Sequence, residues 1–343
     1  MAAAEPAPPL FPSQKELETY CQSAENAARN AGELIMASLR ARQSRPCLAV
    51  ESKGGVDLVT EVDRLCEKEI TQALRAEYPT HAFIGEESIF LSTGELSSSS
   101  APFGLPGESA PTWIIDPIDG TTNFVHGHPF IAVAIGLSIH QDVVLGVIYL
   151  PVLNEMYRAW RGGGARCNDG PLLKVSGAQS IHDALLVNNI GSCREQEFLQ
   201  LSFHRLYALM TAKLPGPLQG LRMSGSACVN LALVAGGRLD AYVEDGVGGV
   251  WDVAAGKILV EEAGGVVVGW EGEPWVLTMG RGRVIAGNAA LVSDLVARMR
   301  DVDGRVWRRK RLRVALKVGM IALMGVGLLA MRRRREGATR RSG

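Results

Sequence analysis

The chain has 343 residues, 47% of them hydrophobic and 21% charged, which is enough to bury a sizeable core and excludes disorder over most of its length. Its 36 basic and 36 acidic residues cancel, but the zero joins two unlike parts: residues 305–343 hold 13 basic residues and one acid, and residues 1–304 carry a net charge of −12. Six scattered cysteines (Cys21, Cys47, Cys66, Cys167, Cys193 and Cys228) with no C-x-x-C pair argue against a disulfide framework and predict reduced thiols.

Residues 1–12 are rich in Ala and Pro, with one acid and no base, and lack the charged start and apolar run of a signal peptide. They read as a disordered lead-in to a cytoplasmic body. A helix is predicted from Ser13, an N-cap candidate with Glu16 three residues on, to about residue 39, because apolar residues recur there at threes and fours. A loop with Lys53, Gly54 and Gly55 follows, then a helix over about 59–78 that Pro79 ends. A short strand at 82–85 runs into Glu86 and Glu87. The Ser/Gly/Pro-rich stretch 92–111 reads as a flexible surface loop.

Residues 113–115 form a strand that delivers Asp116, and Pro117 is expected to end it. Strands follow at 131–139 and 143–150 around a turn at 140–142, then continued antiparallel sheet from 156 through the glycine turn 162–164. The second half alternates: strands at 185–187, 239–243, 265–268 and 284–288, and helices at about 195–213, 226–235, 251–263 and 289–299. Residues 270–275 read as a hairpin edge. Antiparallel strands mixed with long helices, without a solenoid repeat, predict an α+β layered protein rather than a dinucleotide-binding fold.

The densest chemical signal is Trp113-Ile-Ile-Asp-Pro-Ile-Asp-Gly-Thr-Thr-Asn-Phe124. Two carboxylates three apart follow an apolar strand, and Gly120-Thr121-Thr122 can open a helix whose free N–H groups face the same point. Such a set suits a divalent cation that shares a phosphate. Taken alone, a D-x-x-D-G is more often an acidic turn. Glu86-Glu87 and Asp252, each at the end of an apolar element, are singly solvated acids or helix caps. Jointly, the three sites match what hard cations require. His126-Gly-His128 lacks further suitably spaced ligands and reads as a turn or a subunit contact. No G-x-G-x-x-G follows a strand.

The stretches Phe83 to Ser88, Trp113 to Phe124 and Trp251 to Gly265, with Val56-Asp-Leu-Val-Thr-Glu-Val-Asp63, closely resemble inositol monophosphatases over about 13–299. The resemblance implies a layered αβαβα sandwich at 13–300, Mg²⁺-dependent hydrolysis of inositol monophosphate, and a homodimer. Carried across, Glu86, Asp116 and the Ile118 carbonyl would hold one metal, and Asp116, Asp119 and Asp252 a second. Glu86 or Glu87 would reach a weaker site through water. Asp63 and Thr121 resemble the pair that orients and activates the attacking water. Gly120 and Thr121 would offer N–H groups to the phosphate, while Asp119, Gly225, Ser226, Ala227, Glu244 and Asp252 would line the pocket for the alcohol.

Three departures bear on substrate preference and lithium sensitivity: a long 88–112 connection, a Gly54-Gly55 loop, and a Glu244–Trp251 connection one residue longer than in animal members. Alternatives on the same scaffold are a phosphatase for L-galactose 1-phosphate or for histidinol phosphate. A catalytically silent membrane-tethered scaffold is the alternative of another class.

The tail, 301–343, contains an apolar segment at 312–331, uncharged from 318 to 331 and flanked by Arg308-Arg-Lys-Arg311 and Arg332 to Arg335. It reads as a tail anchor in an organelle membrane, with an amphipathic helix on anionic lipid as the alternative. Nucleic acid is not the expected partner of the arginine runs, because the apolar run between them would have no use there.

Overall fold

The computed structural model describes residues 11–44, 50–54, 57–93, 110–213, 216–277 and 282–308. Residues 1–297 form one compact unit and 298–343 another. In the second unit, residues 298–308 are helical, with Arg305 Nη2 3.1 Å from Asp301 Oδ2. The predicted lead-in up to residue 10, the core of the Ser-rich loop and the apolar tail segment 312–331 lie outside the described residues. Among the described residues, no helix is long and apolar enough to cross a membrane.

Helix α1 (Gln14–Ser44) starts where the sequence places it: Glu16 Oε2 accepts from the Ser13 N–H at 2.8 Å, and Ser13 Oγ accepts from the Glu16 N–H at 3.3 Å. It runs five residues past the predicted end. The predicted Lys53 loop is instead a two-stranded ribbon of β1 (Val50–Gly54) and β2 (Asp57–Thr60), short polar strands whose pattern does not mark them as sheet. Thr60 then caps α2 (Glu61–Glu77), so this helix begins two residues later than predicted.

A six-stranded sheet runs in the order β3 (Ala82–Gly85), β4 (Thr112–Asp119), β5 (Ala132–Ile139), β6 (Asp142–Leu150), β7 (Glu155–Trp160), β8 (Gly164–Cys167), antiparallel except for the β3–β4 pair. Two short helices interrupt the run in sequence, α3 (Glu86–Thr93) after β3 and α4 (Thr121–His126) after β4. Glu86 and Glu87 open a helix that was not predicted, and it takes in Ser92 and Thr93, the first residues of the predicted loop.

The prediction that Pro117 ends β4 is wrong, and the reason matters. Asp116 pairs with Ala134 and Asp119 with Ala132, so Pro117 and Ile118 together oppose the single residue Val133. This is a β-bulge, where the missing proline N–H breaks no ladder bond. In a regular strand, residues three apart point to opposite faces. The extra residue brings Asp116 and Asp119 to the same side.

A five-stranded mixed sheet has the order β10 (Gly220–Arg222), β9 (Leu185–Asn189), β11 (Ala241–Asp245), β13 (Arg283–Gly287), β12 (Val266–Val268). Three-residue β10, parallel to β9, is too short to leave a pattern and was not predicted. Helix α5 (Gln196–Met210) follows β9 in sequence; α6 (Ala227–Ala235) and α7 (Trp251–Glu262) lie between the two sheets. The six-stranded sheet buries alternate residues on its two faces. Trp113, Ile115, Val133 and Ile135 pack with α1 and α2, whereas Ile114, Ala134 and Ile148 pack with α6, α7 and the second sheet. The layers are those of an αβαβα sandwich.

Small residues let α7 press on the sheet. A Cβ at Gly146 of β6 would lie 2.3 Å from the Ala255 carbonyl oxygen and 2.8 Å from its Cα. Gly146→Ala must therefore move α7 and is expected to cost about 2 kcal/mol of stability. Urea unfolding at constant m-value checks this, and an unchanged midpoint would refute the close contact.

Candidate active site

Four helices, α3, α4, α6 and α7, put residues of their N-terminal turns into the lining of one cavity of about 710 Å³ at the C-terminal ends of β4 and β11, and the first turn of α2 stands behind it. Glu86 is the first residue of α3, Thr121 the first of α4, and Asp252 the second of α7; Asp63 is in the first turn of α2. Free N–H groups and the positive end of the helix dipole favour carboxylates at each of these places.

Asp119, at the end of the bulge, is bound by the start of α6. It accepts from Ser226 Oγ at 2.5 Å and from the N–H groups of Cys228 at 2.6 Å and Ala227 at 3.3 Å. Ser226 Oγ also accepts from the Val229 N–H at 3.1 Å, which caps α6. Asp252 Oδ2 accepts from the N–H groups of Gly248 and Gly249, the latter at 3.1 Å. Glu244 Oε2 accepts from Asn189 Nδ2 at 3.0 Å and from the Tyr242 hydroxyl. Next to it, Asp245 is ion-paired with buried Arg205, and with Arg283 Nε at 2.5 Å, which fixes the end of β11.

Thr121 Oγ1 lies 3.1 Å from Asp63 Oδ1 and equally 3.1 Å from the Ile118 carbonyl oxygen. One hydroxyl proton serves one of these acceptors at a time. The other Asp63 oxygen accepts from the Thr60 hydroxyl and from its N–H at 3.0 Å, as part of the α2 capping box. Asp63 is thus both a cap and the partner of Thr121. Gly120 precedes α4 at φ 88°, and a Cβ there would sit 3.0 Å from the Phe130 carbonyl oxygen. Both the conformation and the space call for glycine.

The sequence-derived site residues come together. Glu86, Asp116, Ile118, Asp119, Gly120, Thr121, Gly225, Ala227, Glu244 and Asp252 line the cavity, and Asp63 and Ser226 are hydrogen-bonded to lining residues. His126 and His128 are exposed, outside this lining. Asn123, Asn189, Arg194 and Cys228 were not foreseen. Asn123 Nδ2 donates to the carbonyls of Phe130 and Ser224, both at 2.8 Å, and so joins the α4 turn to the loop before α6. Cys228 Sγ is within 4.8 Å of carboxylate oxygens of Asp116 and Asp119, and donates to the Asp252 carbonyl at 3.3 Å. No pattern marks Asn123, Asn189 or Cys228, because each meets a partner from another element: Asn123 reaches Ser224, Asn189 reaches Glu244 of β11, and Cys228 lies beside Asp119 of β4.

The electrostatics are those of a crowded anionic site. Burial raises the Asp119 carboxyl above its ordinary pKa, against the hydrogen bonds from Ser226 and Cys228. Burial raises Asp252 well above its ordinary pKa, and the charges of Asp119, Glu86 and Glu244 push the same way. Glu244 is pushed up to about 7, chiefly by burial. Among the described lining residues, Arg194 is the one cation. Carboxylate oxygens that destabilise one another, together with a main-chain carbonyl, fit a hard divalent cation, while burial raises the Cys228 thiol beside them well above its ordinary pKa and disfavours a thiolate ligand.

A family model described as the inositol monophosphatase family matches residues 16–302. The chain belongs to the inositol monophosphatase family. It is 41% identical over 287 residues to inositol monophosphatase 2 of Solanum lycopersicum, covering 84% of this chain and 100% of that protein. It is 41% identical over 271 residues to human inositol monophosphatase 1, covering 79% and 90%. The crystal structure of the extragenic suppressor protein suhB from Bartonella henselae superposes with a TM-score of 0.68 at 32% identity, over 82% of this chain and 98% of that one. Inositol monophosphatases are phosphomonoesterases, and the chain is a phosphoric monoester hydrolase of that type.

The raised carboxyls set a pH dependence. A carboxyl whose folded pKa exceeds its unfolded value stabilises the fold below the unfolded pKa, and that contribution is lost as pH rises through the folded pKa. With a chelator present, Glu244 should therefore withdraw stability between about pH 4.5 and 7. Glu244→Gln should flatten this part of the melting-temperature profile. Identical slopes for the two proteins across that window would contradict the assignment.

Proposed function

We propose that the chain hydrolyses inositol monophosphate to inositol and phosphate with Mg²⁺, using water as the nucleophile. The observation that carries this reading is the bulge in β4, which turns Asp116 and Asp119 to one side, at the mouth of a cavity also lined by Glu86, Glu244 and Asp252. Glu86, Asp116 and the Ile118 carbonyl would hold one ion, and Asp116, Asp119 and Asp252 a second. The ions would neutralise the phosphate dianion, lower the pKa of a bound water and stabilise the leaving alkoxide.

The chain's own groups supply orientation and proton handling. Thr121 Oγ1 can donate to Asp63 while its lone pair accepts from a water, so the pair aims that water and gives its proton a path to a buried carboxylate. The N–H groups of Gly120 and Thr121, at the start of α4 in the cavity lining, would be donors to the phosphate. On the other side, Glu244, held by Asn189 and Tyr242, is an acceptor for the hydroxyl groups of a polyol. Gly225, Ser226 and Ala227 complete that side at the start of α6.

Phosphate release from inositol 1-phosphate, L-galactose 1-phosphate and histidinol phosphate, with and without Mg²⁺, tests the reading. Inositol 1-phosphate should be turned over fastest and only with metal. Asp116→Asn should abolish most of that turnover while the protein keeps its fold by circular dichroism. Near-normal turnover of the variant with Mg²⁺ would overturn the ligand assignment, and no release from any ester would favour a silent scaffold.

Two finer readings accompany the activity: a homodimer, on the family resemblance, and attachment of the cytoplasmic catalytic domain 13–300 to an organelle membrane through 312–331. The support for the second is sequence alone, an apolar run between arginine clusters. Deletion of residues 305–343 should release the protein from the membrane fraction without loss of phosphatase activity. A full-length protein found wholly in the supernatant would refute the attachment.

A further inference from the structure

Helix α2 carries a second buried acid, Glu67, one turn after Asp63 and only 4% exposed. Its side chain leaves its own helix and reaches the first turn of α3. Oε2 accepts from the Glu87 N–H at 2.7 Å; Oε1 accepts from the Ser88 N–H at 2.9 Å and from the Ser88 hydroxyl. These amides belong to the helix end where no intrahelical acceptor is available. A carboxylate in that position makes charge-assisted hydrogen bonds and faces the positive end of the dipole.

Gly85, just before α3, has no side chain to cap it. A Cβ at Gly85 would lie 2.3 Å from Glu67 Cδ and 2.5 Å from each of its carboxylate oxygens. A Ser at residue 85 is the usual kind of local cap and would carry no charge, but Glu67 fills the space its side chain would need. The chain instead closes that position and caps the helix with a buried glutamate from another element. The consequence is a rigid link. Residues four apart share one face of a helix, and on that face Asp63 grips Thr121 Oγ1 while Glu67 grips the turn whose first residue, Glu86, lines the cavity.

We infer that Glu67 is a positioning residue for metal binding: through the α3 amides it fixes Glu86 relative to the Asp63–Thr121 pair. The inference rests on the reading of Glu86 as a metal ligand. Outer groups that hold a metal-binding carboxylate in place typically contribute 10–100-fold in affinity. Glutamine at this position keeps the shape but presents an amide N–H₂ to one of the α3 donors, so the grip is halved.

The test is calorimetric titration of the full-length protein with Mg²⁺, without substrate. Glu67→Gln should raise the Mg²⁺ dissociation constant roughly tenfold, and the Mg²⁺ concentration for half-maximal phosphate release should rise in parallel. Activity at saturating Mg²⁺ should be largely recovered, which a general loss of structure would not allow. Ser88→Ala removes only the hydroxyl arm and should shift the constant in the same direction by at least about twofold. If Glu67→Gln fails to fold, Ser88→Ala carries the test. A folded variant that binds Mg²⁺ as the wild type does, or one whose lost activity saturating Mg²⁺ does not restore, overturns the inference. Glu86→Gln separates the two levels. If it leaves Mg²⁺ affinity unchanged, the ligand assignment itself is wrong; if it weakens binding and the Glu67 and Ser88 variants do not, only the positioning role falls.

Discussion

Burying several carboxylates side by side is the constraint around which this molecule is built. Asp116, Asp119, Glu244 and Asp252 would repel one another around a single cavity, and burial together with neighbouring negative charge raises the carboxyls of Asp119, Glu244 and Asp252. The fold offsets this with partial positive charge rather than with lysines. The first turns of α3, α4, α6 and α7 line the cavity, and backbone amides from α6 and the Gly248-Gly249 segment bind Asp119 and Asp252 directly. Partial charges leave a net negative site, which is suited to collecting divalent cations and, through them, a phosphate ester.

The layered architecture serves this convergence. Strands β4 and β11 belong to different sheets, yet both end at the cavity, and α6 and α7 lie between the sheets and start there. Close contact through Gly146 sets where α7, and so Asp252, can lie. The β4 bulge adds the local device: without its extra residue, Asp116 and Asp119 would point to opposite faces of the sheet. Asp63 and Glu67 extend the same economy to α2, where two acids on one face each hold a different part of the site.

Much of this was legible in the sequence, for identifiable reasons. The apolar strands, the Ser13–Glu16 helix start, and the acids at the ends of apolar runs are local patterns, and Trp113 to Phe124 is specific enough to resemble one family. The bulge was not legible. Pro117 argued for a strand end, and only pairing with β5 shows that the strand continues through it. The roles of Asn123, Asn189 and Cys228 depend on partners far away in sequence or on another helix. No local pattern marks Glu67, because its partners are the backbone amides of α3, twenty residues on. The basic tail remains a sequence reading, since 312–331 lies outside the described residues.

The central claim is that the carboxylates joined by the β4 bulge hold divalent cations. Anomalous diffraction from crystals of the full chain soaked in Mn²⁺ tests it most directly. The account predicts peaks within bonding distance of Asp116, one on the Glu86 and Ile118 side and another on the Asp119 and Asp252 side. Mn²⁺ bound elsewhere, with this cluster empty in an enzyme that Mn²⁺ activates, would contradict it.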